Sequence, residues 1–255
     1  MMTGPDQKLA LSIQSVSKSF GGIQAVRSVS LDVPVGERRA LIGPNGAGKT
    51  TLFNVVTGEL PADGGRIQLF GVDITHKSVQ ERAKMGLART YQISQLFLHL
   101  TVEQNLFLAA SANRGMEFHL FRPWHRYRSE RDWVLEVAEQ VGLSDHLHDI
   151  VSELSHGLQR QLELGMAVAM RPRLLMLDEP AAGLSPTERV TLVSLIKNLP
   201  KEITLVLIEH NMELVLDLAD RITVMNRGSV LAEGTPAEIR ANEEVQRVYL
   251  GSSYA

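Results

Sequence analysis

A single octapeptide restricts this chain more than any other feature. Residues Gly43-Pro44-Asn45-Gly46-Ala47-Gly48-Lys49-Thr50 fit the pattern G-x-x-x-x-G-K-[ST]. An apolar strand-like run, Arg39–Ile42, precedes them, and a helical pattern, Thr50–Thr57, follows. In that context the glycines let backbone N–H groups approach phosphate oxygens closely. The N-terminus of the following helix adds a favourable dipole. Lys49 is expected to reach the β- and γ-phosphates of a nucleotide and Thr50 to bind Mg²⁺. Strand, tight loop and helix in that order form a unit of an α/β protein with a parallel sheet.

The rest of the chain agrees with that unit. Strand patterns fall at residues 11–20, where Leu11, Ile13 and Val16 roughly alternate, and at Ser28–Val33, with a turn at Pro34-Val35-Gly36-Glu37. Gly58 is placed to cap the helix behind the loop, and Gly64-Gly65 followed by RIQLFG predicts an edge strand. Residues from about 76 to 170 are mostly helical in pattern. Leu174–Leu177 and Ile203–Ile208 then read as buried strands, and Asn211–Ala219 as a helix. Another helix opens at Ser185-Pro186-Thr187-Glu188, with Ser as N-cap, Pro first and Glu three after the cap; Leu192, Val193, Ile196 and Leu199 form its apolar face. Ile222–Met225 and Ser229–Ala232, joined by Asn226-Arg227-Gly228, read as a hairpin. The order predicts a parallel sheet covered on both faces.

Composition removes several function classes. With 255 residues, 44% hydrophobic and 22% charged, the chain is neither a disordered tail nor a small stapled scaffold. A net charge of −3 gives no basic field of the kind that points to nucleic acid. There are no cysteines, so disulfides, thiolate zinc sites and a cysteine nucleophile are excluded. The longest apolar runs, such as Leu205–Ile208, fall far short of the roughly 20 residues a spanning helix needs. The opening MMTGPDQKLA lacks the apolar stretch of a secretory signal. Work at a membrane is expected to proceed from its surface, through a partner.

The run Leu174-Leu175-Met176-Leu177-Asp178-Glu179-Pro180 is an apolar strand ending in two carboxylates. Beside a phosphate loop, Asp178 is placed to coordinate Mg²⁺, through water, and Glu179 to polarise an attacking water. Four further features narrow the choice. Leu154-Ser155-His156-Gly157-Leu158-Gln159 precedes an apolar helix, 24 residues before Asp178 counted from Leu154. Gln92 follows Ala88-Arg89-Thr90-Tyr91, Ala182-Gly183-Leu184-Ser185 follows the acidic strand, and His210 ends the next strand.

With these features the sequence resembles the nucleotide-binding subunits of ABC transporters along nearly its whole length. The resemblance implies a P-loop NTPase (RecA-like) α/β core with an antiparallel β-subdomain and an inserted α-helical subdomain. It implies one ABC ATPase domain over 1–255: core plus β-subdomain at 9–92 and 171–255, and a helical subdomain with the signature at 93–170. The cofactors it implies are ATP and Mg²⁺. Residues Gly43, Pro44, Asn45, Gly46, Ala47, Gly48, Lys49, Thr50 and Thr51 become the Walker A loop, and Phe20 the aromatic that stacks on adenine. Gln92 becomes the Q-loop glutamine, acting in catalysis and, with Thr50 and Asp178, at the metal. Asp178 and Glu179 stand at Walker B, Ala182–Ser185 at the D-loop and His210 at the switch histidine, so that Lys49, Gln92, Glu179 and His210 form the catalytic set. Ser155 and Gly157 of the signature would present a hydroxyl and a backbone N–H to a γ-phosphate.

Within that family the chain looks like the ATPases of branched-chain and hydrophobic amino-acid importers, including urea-type relatives. The resembling stretches are residues 86–92 (GLARTYQ), 178–184 (DEPAAGL), 209–213 (EHNME), the tail 248–251 (VYLG) and the insert 111–133. The implied partners are a second ABC ATPase subunit, as homo- or heterodimer, two membrane permease subunits and, indirectly, a periplasmic or surface solute-binding protein. The implied location is cytoplasmic and peripheral on the inner face of the membrane, with no nucleic acid. Soluble ABC ATPases of DNA repair or translation usually carry tandem cassettes or long coiled coils, and this chain has neither. A purely nucleotide-binding, non-enzymatic partner is disfavoured by the intact Glu179 and His210. The signature departs from the usual L-S-G-G-Q at His156 and Leu158, and Leu158 is expected to loosen the half-site it serves. Between Arg114 and Arg131 five arginines interleave Phe118, Phe121, Trp124 and Tyr127. This stretch reads as an extra hairpin or helix with packed aromatics and solvated arginines, or alternatively as a surface patch.

Overall fold

The computed structural model describes residues 8–90, 96–112 and 128–250. In chain order the strands are β1 (Leu9–Phe20), β2 (Ile23–Pro34), β3 (Arg38–Ile42), β4 (Gly64–Leu69), β5 (Val72–Asp73), β6 (Leu87–Arg89), β7 (Leu174–Asp178), β8 (Thr204–Ile208), β9 (Arg221–Asn226) and β10 (Ser229–Gly234). The helices are α1 (Lys49–Thr57), α2 (Val79–Lys84), α3 (Val102–Ala112), α4 (Arg128–Gln140), α5 (His156–Ala169), α6 (Pro186–Lys197), α7 (Met212–Leu218), α8 (Pro236–Ala241) and α9 (Glu243–Leu250). Two sheets result. An antiparallel sheet has the order β2-β1-β4-β5, and a six-stranded sheet the order β10-β9-β3-β8-β7-β6. The latter is parallel from β9 to β6, and β10 closes it antiparallel.

The parallel strands are apolar throughout because both of their faces are covered. Leu175 and Leu177 of β7 join one apolar layer with Leu205 and Leu207 of β8 and the helices α3 to α7. Leu174 and Met176, with Val206 and Ile208, point into a second layer shared with α1 and the antiparallel sheet. Alternation with period two thus feeds two cores from one strand. At the junction of the sheets, buried Arg39 of β3 donates to Glu37 at 2.6 Å, to Thr223 of β9 at 2.9 Å and to the Asp32 carbonyl of β2 at 3.0 Å. It also meets Glu233 of β10 at 3.0 Å.

Several expectations require correction. The strand after Gly64-Gly65 is not an edge: β4 lies between β1 and β5, whose two residues form the actual margin. The largely helical stretch 76–170 contains β6, three residues that pair with β7 and form the sheet's far edge. A strand that short carries no periodicity to read. β2 starts at Ile23, five residues before the expected Ser28. Helices α8 and α9 had no counterpart in the sequence reading. The start of α8 repeats the signal at Ser185: Thr235 caps, Pro236 comes first and Glu238 completes the capping box. Of the basic-aromatic insert, residues 113–127 lie outside the described residues, and Arg128, Glu130 and Arg131 belong to α4.

Helix α1, which carries the end of the phosphate loop, is closed at its far end by a buried cation. Gly58 caps it in the left-handed region at φ 88°. Arg82 of α2, 2% exposed, donates to the carbonyls of Val55 at 2.7 Å and Val56 at 2.6 Å, and also to those of Lys77 and Thr75. The negative end of α1 stabilises the guanidinium, which explains how an arginine whose pKa burial lowers is tolerated there. A Cβ at position 58 would lie 2.9 Å from the Arg82 Nε. Replacing Arg82 with methionine removes its four bonds to carbonyls, of which that of Val55 keeps only the Gly58 N–H, and is expected to cost about 2–4 kcal/mol. Urea unfolding checks this: the midpoint falls with the slope unchanged, and an unmoved midpoint would refute the cap.

Candidate active site

The phosphate loop is shaped by close backbone approaches. Gly43 has φ 153°, and a Cβ there would come within 2.2 Å of the Met225 carbonyl oxygen. Gly48 has φ 96°, and a Cβ there would meet the Ala25 carbonyl oxygen of β2 at 2.3 Å. Any side chain at either position would push the loop off β9 or β2. Lys49 is buried, and its Nζ donates to the carbonyls of Gly43 at 2.7 Å and Pro44 at 3.0 Å. Burial lowers the pKa of Lys49, while Glu179 and Asp178 pull it back up. The ammonium therefore lies within the field of both carboxylates at the end of β7. Thr50 is exposed at the first turn of α1.

β7 delivers Asp178 almost fully buried, at 3% exposure. Burial raises its pKa, opposed by Arg89, whose Nη2 lies 3.6 Å from the carboxylate. Arg89 also reaches Glu59 at 2.8 Å and Asn54 at 3.0 Å, so it ties β6 to the helix behind the phosphate loop. The next residue, Glu179, has φ 47°, a region side chains rarely adopt and one that concentrates at functional sites. Its Oε1 lies 2.7 Å from His210 Nε2. A carboxylate only accepts, so Nε2 carries the proton. Buried Glu209 holds this corner together. It accepts from the N–H groups of Ala181 at 3.3 Å, His210 at 2.9 Å and Asn211 at 3.3 Å.

The structure thus brings Lys49, Asp178, Glu179 and His210 to the C-terminal ends of the parallel strands. Phe20 stands apart at the tip of the β1–β2 hairpin, 46% exposed, with Lys18 Nζ 5.7 Å from its ring centroid. That exposure removes a core role. Ser155 and Gly157 are held elsewhere. Ser155 caps α5 by accepting from the Leu158 N–H, and the Gly157 N–H donates to Glu188 of α6 at 3.1 Å. His156 lies against Gly183, and Leu158 packs on the main apolar core. Gln92 lies outside the described residues. Arg89 and Glu209 carry no role that the motifs assign, although both lie within stretches that resemble the family. For Glu209 the available signal was an acid directly after a buried apolar strand.

Comparison with known proteins places the chain among these relatives. Residues 26–182 match the family described as ABC transporter, and residues 229–255 match that described as branched-chain amino acid ATP-binding cassette transporter. The chain is 41% identical over 250 residues to the high-affinity branched-chain amino acid transport ATP-binding protein BraF of Pseudomonas aeruginosa, covering 95% of this chain and 98% of that protein. It is 42% identical over 250 residues to LivG of Escherichia coli, a protein of the same description, with the same coverage. A crystal structure of an ATP-binding cassette of an ABC transporter in its ADP conformation superimposes with a TM-score of 0.84 at 31% identity, covering 96% of this chain and 99% of that one.

The raised pKa of Asp178 has a consequence for stability. Burial disfavours the ionised form in the fold, so stability is lost as the pH rises from the ordinary carboxylate pKa towards the raised folded value, and the loss is complete above the latter. Below the ordinary carboxylate pKa of about 3.9 both states are protonated and the cost vanishes. Asp178→Asn is neutral throughout. It is expected to melt at a higher temperature than the native chain near neutral pH, with the gap closing as the pH falls through the carboxylate range. Thermal unfolding against pH checks this, and a pH-independent gap would assign the gain to something other than the charge.

Proposed function

The chain belongs to the ABC transporter family, as one of its ATP-hydrolysing, ATP-binding subunits, and on that premise we propose that it powers an importer of branched-chain or other hydrophobic amino acids, or of related small solutes. The observation that carries the catalytic part is the Glu179–His210 pair at 2.7 Å, one residue from Asp178 and within the field of Lys49. In this reading Gly43–Thr51 cradle the phosphates and Lys49 leaves its two loop carbonyls for the β- and γ-phosphates. Phe20 offers its exposed ring to adenine. Glu179 takes the proton of the attacking water, and His210 fixes the carboxylate. Gln92 joins the catalytic set by resemblance.

Mg²⁺ fits the donors, because Thr50 and Asp178 supply hard oxygens. Among the described residues there is no cluster of three or more His, Cys, Asp or Glu that could hold a metal ion. When bound, it would neutralise phosphate charge. The division into a core with β-subdomain (9–92 and 171–255) and a helical subdomain (93–170) belongs to the same reading.

Two such subunits would sandwich two ATP molecules, each between the Walker loops of one and Ser155 and Gly157 of the other. No described helix is long and apolar enough to cross a membrane. Coupling to two permease subunits on the inner face of the membrane would use the apolar groove of about 390 Å³ beside Arg89 and Thr90. Leu96, Phe97, Leu108 and Met166 are among its lining residues, and Phe97 is 51% exposed. A solute-binding protein would meet the permeases, not this chain. BraF and LivG are branched-chain amino acid transport proteins, which supports the solute class.

Glu179→Gln is expected to retain ATP binding and lose roughly 10²–10⁴-fold in turnover, measured as steady-state phosphate release. Unchanged turnover would remove Glu179 from the base role. Leu158→Gln adds a donor and an acceptor where leucine has none. It is expected to strengthen ATP-driven association with the partner ATPase while ATP binding to the isolated chain stays the same. Site-resolved nucleotide occupancy in the complex measures this, and unchanged occupancy would make Leu158 a packing residue alone.

A further inference from the structure

Two adjoining cavities lie at the opposite end of the parallel sheet from the phosphate loop, where β6 and β7 begin. One, of about 520 Å³, is lined by Lys84, Arg171 and Arg173 over a floor that includes Met85 and Met170. The other, of about 490 Å³, adds Lys8; the two share Phe70 and Arg173. Both volumes are in the range of small-molecule sites. Among the described residues neither lining contains an aspartate or glutamate. Among the described residues none of the four cations is paired with a carboxylate. The Arg173 guanidinium lies 3.6 Å from the Phe70 ring centroid, and that of Arg171 lies 4.5 Å from the Trp133 ring centroid. Stacking of this kind fixes a guanidinium plane and leaves its N–H edge for a ligand.

The backbone supplies an independent observation. Phe70 and Arg171 stand in the left-handed region, at φ 49° and 53°. Phe70 and Gly71 form the tight turn between β4 and β5, a place that asparagine or glycine fills more easily. Arg171 follows the C-cap of α5, where glycine is usual. Two side chains in strained backbone face the same pair of cavities, as residues at ligand sites do.

We propose that this cavity pair binds a small apolar carboxylate. The chemistry of the walls selects that class. A zwitterion would place its ammonium among four cations with no acid among the described lining residues to receive it. Guanidinium forks accept carboxylate and phosphate alike, but the backbone N–H groups that would complete a phosphate cradle, those of Phe70, Gly86, Arg171 and Arg173, are spent on carbonyls. A carboxylate needs only the guanidinium forks, and its apolar body fits the methionine floor. This site is separate from the nucleotide site and does not depend on the transported solute.

Trp133 reports on Arg171, and Trp124→Phe leaves it as the lone tryptophan, since the chain has two. Titrating that protein with 4-methyl-2-oxopentanoate, and separately with leucine of the same apolar body, is expected to shift Trp133 emission saturably for the oxo acid only. Arg173→Gln and Arg171→Gln are each expected to weaken binding roughly tenfold, with MgATP affinity unchanged. Lys84→Gln, on the exposed end of α2, gives the same direction should strained Arg171 fail to tolerate replacement. The proposal is overturned if the oxo acid produces no saturable shift, if leucine binds equally well, or if the folded variants bind as the native chain does.

Discussion

The phosphate loop depends on Gly228, where both sheets meet it. The Gly228 N–H donates to the Ala47 carbonyl at 2.9 Å, and its own carbonyl accepts from the Arg27 N–H at 2.7 Å. One residue in the β9–β10 turn therefore fastens the loop to β2 and to the parallel sheet together. A Cβ on Gly228 would lie 2.9 Å from the Ala25 carbonyl oxygen that Gly48 also approaches. Three backbones converge within a space that admits no side chain. Arg39 repeats the connection deeper in the molecule, bonding to strands of both sheets. The loop's shape is thus a property of how two sheets are joined, beyond its own eight residues.

Charge in the site is balanced by distribution rather than by tight pairing. Asp178 is buried with its nearest cation at 3.6 Å, longer than a charge-assisted hydrogen bond. Lys49 is buried with carbonyls as its bonded partners. Both groups have pKa values displaced toward neutrality by burial. A site that meets its own charges only loosely keeps them free for a highly charged ligand. Arg89 has the opposite role, since its several bonds to α1 hold it in place whatever Asp178 does.

Much of this was legible in the sequence where local chemistry dictates local structure. Ser185-Pro186-Thr187-Glu188 specified a helix start to the residue, because the Ser185 and Glu188 side chains each accept from the other's backbone N–H and Pro186 fits the first helical position. Gly43–Thr50 specified strand, loop and helix. Asp178 and Glu179 were readable as a pair of acids ending a strand beside a phosphate loop, whereas His210 came from the resemblance; the parallel sheet sets all three strand ends side by side. What could not be read depends on distant partners. β6 is too short for a pattern and exists because β7 lies beside it. Arg82 looks like an ordinary helix cation until α1 is found ending against it. That Gly157 donates to Glu188, 31 residues on, follows only from how α5 and α6 pack.

Glu209 gathers three N–H groups from two separate loops onto one buried carboxylate. The loop after Glu179 and the loop carrying His210 therefore share one anchor, and the left-handed backbone at Glu179, a strain on the order of 1–3 kcal/mol, is held against it. The two loops cannot drift independently: a displacement of either is passed to the other through a single side chain less than a turn away from both. The spacing of Glu179 from His210 is thus set by both loops together, through the one carboxylate that bonds to both.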